Sequence, residues 1–245
     1  ALESRGLGDV YKRQVFDIKY VLFCAIVSTI CFWVVWGTAK LLVRDKTIRG
    51  AFVQSSFRGS AAVMGLAFIQ NIYGSSAMGP LMIVSAVPLY NIFSVIVLTF
   101  EANDSTGIDK KAKIRQAGIN ICKNPIILSI LAGLVVGLLG IQFPTLVNKT
   151  VSNVAQMATP LALITIGAGF EGRKAIKMIK ETLAASIIKL VIQPLLFLPV
   201  AVWLGFRGDL LVATIIMTGS PTTPSSYIMA KNMGHEGVLT SSCVV

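Results

Sequence analysis

Apolar residues along this chain fall into long runs separated by short basic stretches. The runs cover residues 18–43, 50–72, 77–100, 124–141, 151–170, 182–204 and 210–231, and an eighth begins at 237. A helix needs about 20 apolar residues to cross a hydrocarbon core of about 30 Å. The pattern therefore predicts an all-α polytopic membrane protein with seven crossings and the start of another. The longest polar stretch, residues 101–123, is predicted as a loop, and tight turns are predicted at Tyr73-Gly74-Ser75-Ser76 and at Gln142-Phe143-Pro144. Asn124-Pro125 predicts a helix start, with a side-chain cap followed by proline at the first helical position.

Charge orients these segments. If every run crosses, one side collects Arg44, Lys46 and Arg49, then Lys110, Lys111, Lys113, Arg115 and Lys123, then Arg173, Lys174, Lys177 and Lys180, then Lys231. The opposite side carries only Lys19, Lys149 and Arg207. Lys/Arg-rich loops stay in the cytoplasm, so the rich side is expected there, in a multi-pass protein of the plasma membrane. The asymmetry also accounts for the net charge of +11 without invoking nucleic acid. Hydrophobic residues make up 54% and charged residues 13% of the chain, and the mean hydropathy is +0.75. A soluble domain carries roughly 25% charged residues. Cys24, Cys31, Cys122 and Cys243 show no paired metal-ligand spacing, and His235 stands alone, so no metal and no cofactor is expected. The stretch Ala1–Gln14 reads as a translated adapter, foreign to the fold.

Two of the apolar runs are interrupted in matching places. Gly59-Ser60 is followed by Gly74, and 160 residues later Gly219-Ser220 is followed by Gly234. Paired interruptions in two halves of a chain point to a transporter's binding site. The two units begin five crossings apart, an odd number, so they enter the membrane from opposite sides and form an inverted repeat. In the later run, Gly219-Ser220-Pro221-Thr222-Thr223-Pro224 excludes a regular helix, because each proline removes an amide donor and crowds the preceding turn. Carbonyls freed near Met217–Gly219 are candidates for a cation or for donor groups. A half-helix starting near Thr222 offers its amides and positive dipole end to an anion. The earlier run has Gly59 and Gly65 but no proline, which leaves an unwound break and close helix packing both open.

Lys189 lies well inside the 182–204 run, one turn before Gln193 and Pro194. A buried ammonium is costly and faces a cavity or a partner. Four roles stand open for it: charge support for a substrate carboxylate, a stand-in for a coupling cation at the crossing, snorkelling to the interface, or hydrogen bonding to freed carbonyls. Arg58 is expected near the cytoplasmic end of its run, away from the site. Asn91 is the amide expected to line a cavity. No Asp or Glu falls in the centre of a run, which argues against a paired-carboxylate proton pump. The candidate substrate-binding set is thus Ser60, Gly65, Asn91, Lys189, Gly219, Ser220, Pro221, Thr222 and Thr223.

The ordered motifs Phe57-Arg58-Gly59-Ser60, Gly65-Leu66, Tyr73-Gly74, Val87-Pro88-Leu89-Tyr90-Asn91, Asn124-Pro125, Thr159-Pro160-Leu161-Ala162-Leu163, Lys189 with Pro194, and Ser220-Pro221-Thr222 resemble the auxin efflux carrier family, in particular its bacterial malate-permease-like members. The resemblance implies ten helices in two inverted five-helix repeats, with two broken helices crossing at the substrate site. It places residues 15–102 at the end of the first repeat (helices three to five), 103–123 in a cytoplasmic loop, and 124–245 in the second repeat (helices six to nine and the start of ten). On this reading the chain is a fragment. The family usually has Asn where Ser60 aligns and Pro where Ala67 aligns. Those departures remove an amide that could meet a carboxylate and let the helix run straighter. The implied function is alternating-access carriage of small organic anions such as malate or auxin-like carboxylates in the lipid bilayer, with H+ or Na+ as coupling ion and a homodimer as partner. A sodium-coupled bile-acid-type symporter and a non-transporting sensor or scaffold are the alternatives. No nucleophile–His arrangement or catalytic carboxylate pair points to an enzyme.

Overall fold

The computed structural model describes residues 17–73, 78–102, 110–141 and 143–245. The stretch read as foreign, residues 1–14, lies outside them, as do turn residues 74–76 and residue 142. Every regular element among the described residues is helical. In chain order these are α1 (Ile18–Leu42), α2 (Lys46–Phe57), a π-helical turn (Ala61–Gly65) running into α3 (Leu66–Tyr73), α4 (Met78–Phe100), α5 (Lys110–Lys123), α6 (Pro125–Leu138), α7 (Thr145–Ala168), α8 (Gly172–Lys177), α9 (Ile179–Ile187), a π-helical turn (Ile188–Ile192) running into α10 (Gln193–Trp203), α11 (Asp209–Gly219), α12 (Pro224–Asn232) and α13 (Val238–Val244).

Four helical stretches are long and apolar enough to cross a membrane: Ile18–Leu42, Gly79–Phe100, Thr145–Ala168 and Ile179–Trp203. The chain is an all-α, multi-pass membrane protein. Along α1, Leu22, Ile26, Ile30 and Trp33 are exposed at helical spacing, while Tyr20, Cys24, Val27 and Cys31 are buried. A helix apolar on every side is the composition of a span.

The two interrupted runs are not long helices. Each is two helical pieces joined by an extended link: α2 and the π-turn with α3 around Arg58–Ser60, and α11 and α12 around Ser220–Thr223. The link residues Arg58 (φ −88°, ψ 128°), Ser220 (φ −83°, ψ 145°) and Thr223 (φ −90°, ψ 147°) have strand-like backbone. The earlier run is therefore broken, although no proline breaks it.

Other expectations shift in detail. Asn124 caps α6 as expected, its Oδ1 accepting from the Ile126 and Ile127 amides at 3.0 and 3.3 Å. The predicted loop 101–123 holds helix α5, however. Its Lys, Ala, Arg and Gln residues are strong helix formers, and hydropathy alone does not register that. Residues 114–123 and 125–137 meet at a 56° bend. The run at 151–170 starts its helix earlier, at Thr145, directly after Pro144. There Asn148, Lys149 and Thr150 continue the helix despite their polarity.

The core lies between α1, α2 and α4. Phe32 stacks on Phe93 at 4.4 Å and meets Phe57 edge-on at 5.4 Å, and Phe57 meets Tyr90 at 5.8 Å. These rings fix the last residue of α2 and with it the start of the first link. At one end of the same three helices, Glu101 accepts from Trp36 Nε1 at 2.8 Å and pairs with Arg49 at 3.3 Å.

Candidate functional site

The two links touch. The Ser60 amide donates to the Pro221 carbonyl at 2.9 Å, joining one break to the other through backbone. The approach is close enough to favour glycine. A Cβ on Gly59 would stand 2.6 Å from Ser220 Oγ and 3.1 Å from Lys189 Nζ. Behind the links, a Cβ on Gly65 would meet Ile216 at 2.9 Å, and one on Gly219 would meet Pro194 at 3.0 Å.

A helix end leaves carbonyls without partners, and buried carbonyls need them. Here α2 and α11 both end at the crossing, and one side chain serves both. Lys189 Nζ donates to Met217 O at 3.0 Å, to Phe57 O at 3.3 Å and to Gln193 Oε1 at 3.0 Å. Gln193 Nε2 donates onward to Ser56 O at 2.8 Å. An ammonium has three N–H donors, and all three are engaged. The π-turn at residues 188–192 belongs to the same design. Pro194 has no N–H, and the Gln193 amide bonds back to Ile188 O. Such wide turns recur at functional positions.

The opposite helix ends, the starts of the π-turn with α3 and of α12, border a cavity of about 340 Å³. Its walls include Arg58, Ser60, Tyr90, Asn91, Thr159 and Thr223. Arg58 is buried, yet among the described residues no carboxylate lies within ion-pair distance of it. Its Nη2 donates to Ser225 Oγ at 2.7 Å, and its Nη1 lies 4.0 Å from Met229 Sδ. A guanidinium has five donors, so most of its hydrogen-bonding capacity is open at the cavity wall. Asn91 donates to Val87 O at 2.9 Å, and its Oδ1 is buried without a partner.

A comparison with known protein families matches residues 7–245 to the family described as "Membrane transport protein". This chain belongs to that family, the auxin efflux carriers. No curated protein matches the chain. The match takes in residues 7–14, part of the stretch read as foreign from the sequence.

In this member of the family the nine residues picked from the sequence part into two groups. Ser60, Asn91 and Thr223 line the cavity. Pro221 holds the crossing through its carbonyl, and Ser220 Oγ is buried beside Gly59 without a partner. Thr222 Oγ1 shares a hydrogen bond with Ser226 Oγ at 3.1 Å. Gly65 and Gly219 are packing positions against Ile216, Met82 and Pro194. Lys189 lies outside the cavity lining, and with three carbonyl-type acceptors it has no donor left for a carboxylate. Of the four roles left open for it, the carbonyl-binding one is occupied.

Arg58 is the residue that sequence reasoning left out of the site, expecting it near the cytoplasmic end of its run. The run starts at Lys46 instead, and Arg58 falls on the break itself. The signal was the adjacency Arg58-Gly59-Ser60: an arginine beside the glycine that interrupts an apolar run. The missing proline at Ala67 does not straighten the segment either. The break is held from outside, by Lys189 and Gln193 on its carbonyls and by Pro221 on the Ser60 amide.

Proposed function

We propose that this carrier transports a small organic anion, bound in the cavity where the two links cross. The observation that carries the proposal is the Arg58 guanidinium, buried at the cavity wall with no carboxylate partner among the described residues. Removing a charge from water is expensive unless something pairs with it. A carboxylate fits an arginine fork in two parallel hydrogen bonds. The two half-helix starts each add about half a positive charge. With Arg58 the cavity presents about two positive charges, which suits a dicarboxylate such as malate better than a neutral solute. A volume of about 340 Å³ is at the small end of the range for ligand pockets. The unpartnered Asn91 Oδ1 can accept from a ligand hydroxyl.

A larger space of about 840 Å³, walled in part by Gln116, Asn120, Lys123 and Asn124, adjoins the cavity, and we assign the access route to it. It shares Ile126 and Ile228 with the cavity, so those two side chains stand between vestibule and site. With the lysine-rich ends in the cytoplasm of a plasma-membrane carrier, this opening is the inner one. Alternating access then closes it while opening the far side.

The test is a titration of the purified protein in lipid nanodiscs with malate, succinate, acetate and the uncharged dimethyl ester of malate, read by thermal unfolding. Counterflow of labelled ligand in proteoliposomes follows. Carboxylates raise the unfolding midpoint, the ester does not, and Arg58→Met abolishes the rise. Binding without counterflow is the result for a sensor. A folded Arg58→Met protein that binds carboxylates as the wild type does sinks the assignment.

A further inference from the structure

The crossing has a second face, and its chemistry is the reverse of the cavity's. There α2 and α11 present their carbonyl ends to one point. Each helix C-terminus carries about half a negative charge, so two together amount to about one. One ammonium neutralises that charge, and the Lys189 ammonium sits on it, bonded to a terminal carbonyl of each helix and to Gln193 Oε1. Backbone carbonyls gathered around a point are what a channel filter uses to replace the water of an alkali cation. Here the covalent cation fills that place.

We infer that Lys189 is a tethered substitute for an alkali cation, so that the crossing holds together without sodium, and that removing its charge uncovers a latent sodium site. The ligands of that site are Phe57 O, Met217 O and Gln193 Oε1. Two further oxygens are close at hand. Ser220 Oγ is buried and unpartnered, and like Lys189 Nζ it lies within contact of the Cβ position of Gly59. Ser55 Oγ, also buried and set beside the Cys243 thiol, lines a void of about 20 Å³ together with Lys189 and Thr222. Truncating the lysine enlarges that void beside oxygens that lack donors, which suits a small bare cation and not an anion.

The inference rests on the proposed carrier reading only where it concerns coupling. Its test needs no substrate, so an untransported anion leaves the result standing. The whole chain is purified in nanodiscs, and its unfolding midpoint is measured at constant ionic strength in sodium, lithium, potassium and choline chloride. The wild type unfolds at one temperature in all four. Lys189→Ala and Lys189→Met (the second keeping most of the apolar stem) unfold early in choline and recover by several degrees in sodium, because a cation that binds only the folded state stabilises it by mass action. Labelled sodium binds the variants at one ion per chain and the wild type not at all. Adding Gln193→Leu to Lys189→Met removes the recovery. Three results overturn the inference: a wild type stabilised by sodium over choline, folded variants indifferent to sodium, or variants that stay unfolded in every salt. The last would mean that the carbonyls accept the lysine and nothing else.

Discussion

Lys189 and Arg58 make an instructive pair. Both are basic, both are almost completely buried, and both reach the same crossing of two broken helices. Among the described residues neither has a carboxylate partner. Yet Lys189 is saturated by carbonyl-type acceptors at the negative ends of α2 and α11, while Arg58 stands open toward a cavity at the positive ends of the other two pieces. The difference follows from helix polarity. A broken helix gives one negative and one positive terminus within a few residues, so a cation beside the first completes the fold and a cation beside the second attracts a ligand. Burial and charge alone do not separate a structural residue from a binding one; the helix end it faces does.

The sharpest way to break this pairing is to remove each charge and compare stability. Lys189→Ala orphans the Phe57 carbonyl and the Gln193 amide oxygen and leaves Met217 O only the long bond from the Tyr90 hydroxyl at 3.4 Å, and each unsatisfied buried group costs about 1–3 kcal/mol. Measured in sodium-free buffer, this variant shows the largest loss of unfolding free energy. Arg58→Met has the opposite sign. It removes a buried charge that, among the described residues, is met by a hydroxyl and a thioether and by no carboxylate, so stability holds or rises by about 1 kcal/mol. Its cost appears in binding instead: truncating one member of a buried charge pair costs about 2 kcal/mol or more, roughly thirtyfold in carboxylate affinity. Loss of stability in both variants would remove the distinction.

Gly59→Ala tests the contact between the two faces. Its methyl would stand 2.6 Å from Ser220 Oγ and 3.1 Å from Lys189 Nζ, so Ser220 and Lys189 must swing aside or the links must move apart. Overpacking of this kind costs about 1–3 kcal/mol. Because the same glycine follows Arg58 and precedes the Ser60 amide, both the unfolding midpoint and anion affinity fall. Thermal unfolding with and without malate reads the two effects in one experiment.

The two breaks were unequally legible in the sequence, and the reason is physical. The one at Ser220–Thr223 is written locally, because Pro221 and Pro224 forbid the helix whatever surrounds them. The one at Arg58–Ser60 has only a glycine. Its donors and acceptors are satisfied by residues 132 to 161 positions away, namely Lys189, Gln193 and Pro221. A break made by tertiary contacts leaves only a faint local signature, here the glycine beside Arg58, which is also why Arg58 was left out of the site. The long spans and the cap at Asn124 were readable because hydropathy and capping are local. Helix α5 was not, because its charged residues look like a loop while favouring a helix.

The smallest effect expected at the crossing comes from the residue that holds Arg58 in place. Ser225, in the first turn of α12, accepts from Arg58 Nη2 at 2.7 Å and shares a hydrogen bond with Thr223 Oγ1 at 3.2 Å. Ser225→Ala leaves the guanidinium charge in the cavity but frees its orientation. One hydrogen bond to a charged group is worth about 1.5 kcal/mol, so carboxylate affinity falls by roughly tenfold at most. Stability changes little, because the freed donor can turn to the cavity and its water. The outcome ranks the contributions to binding. If Ser225→Ala weakens binding as much as Arg58→Met does, the aim of the fork matters more than its charge. If it has no effect, the bound anion itself orients Arg58, and the site relies on charge with little preorganisation.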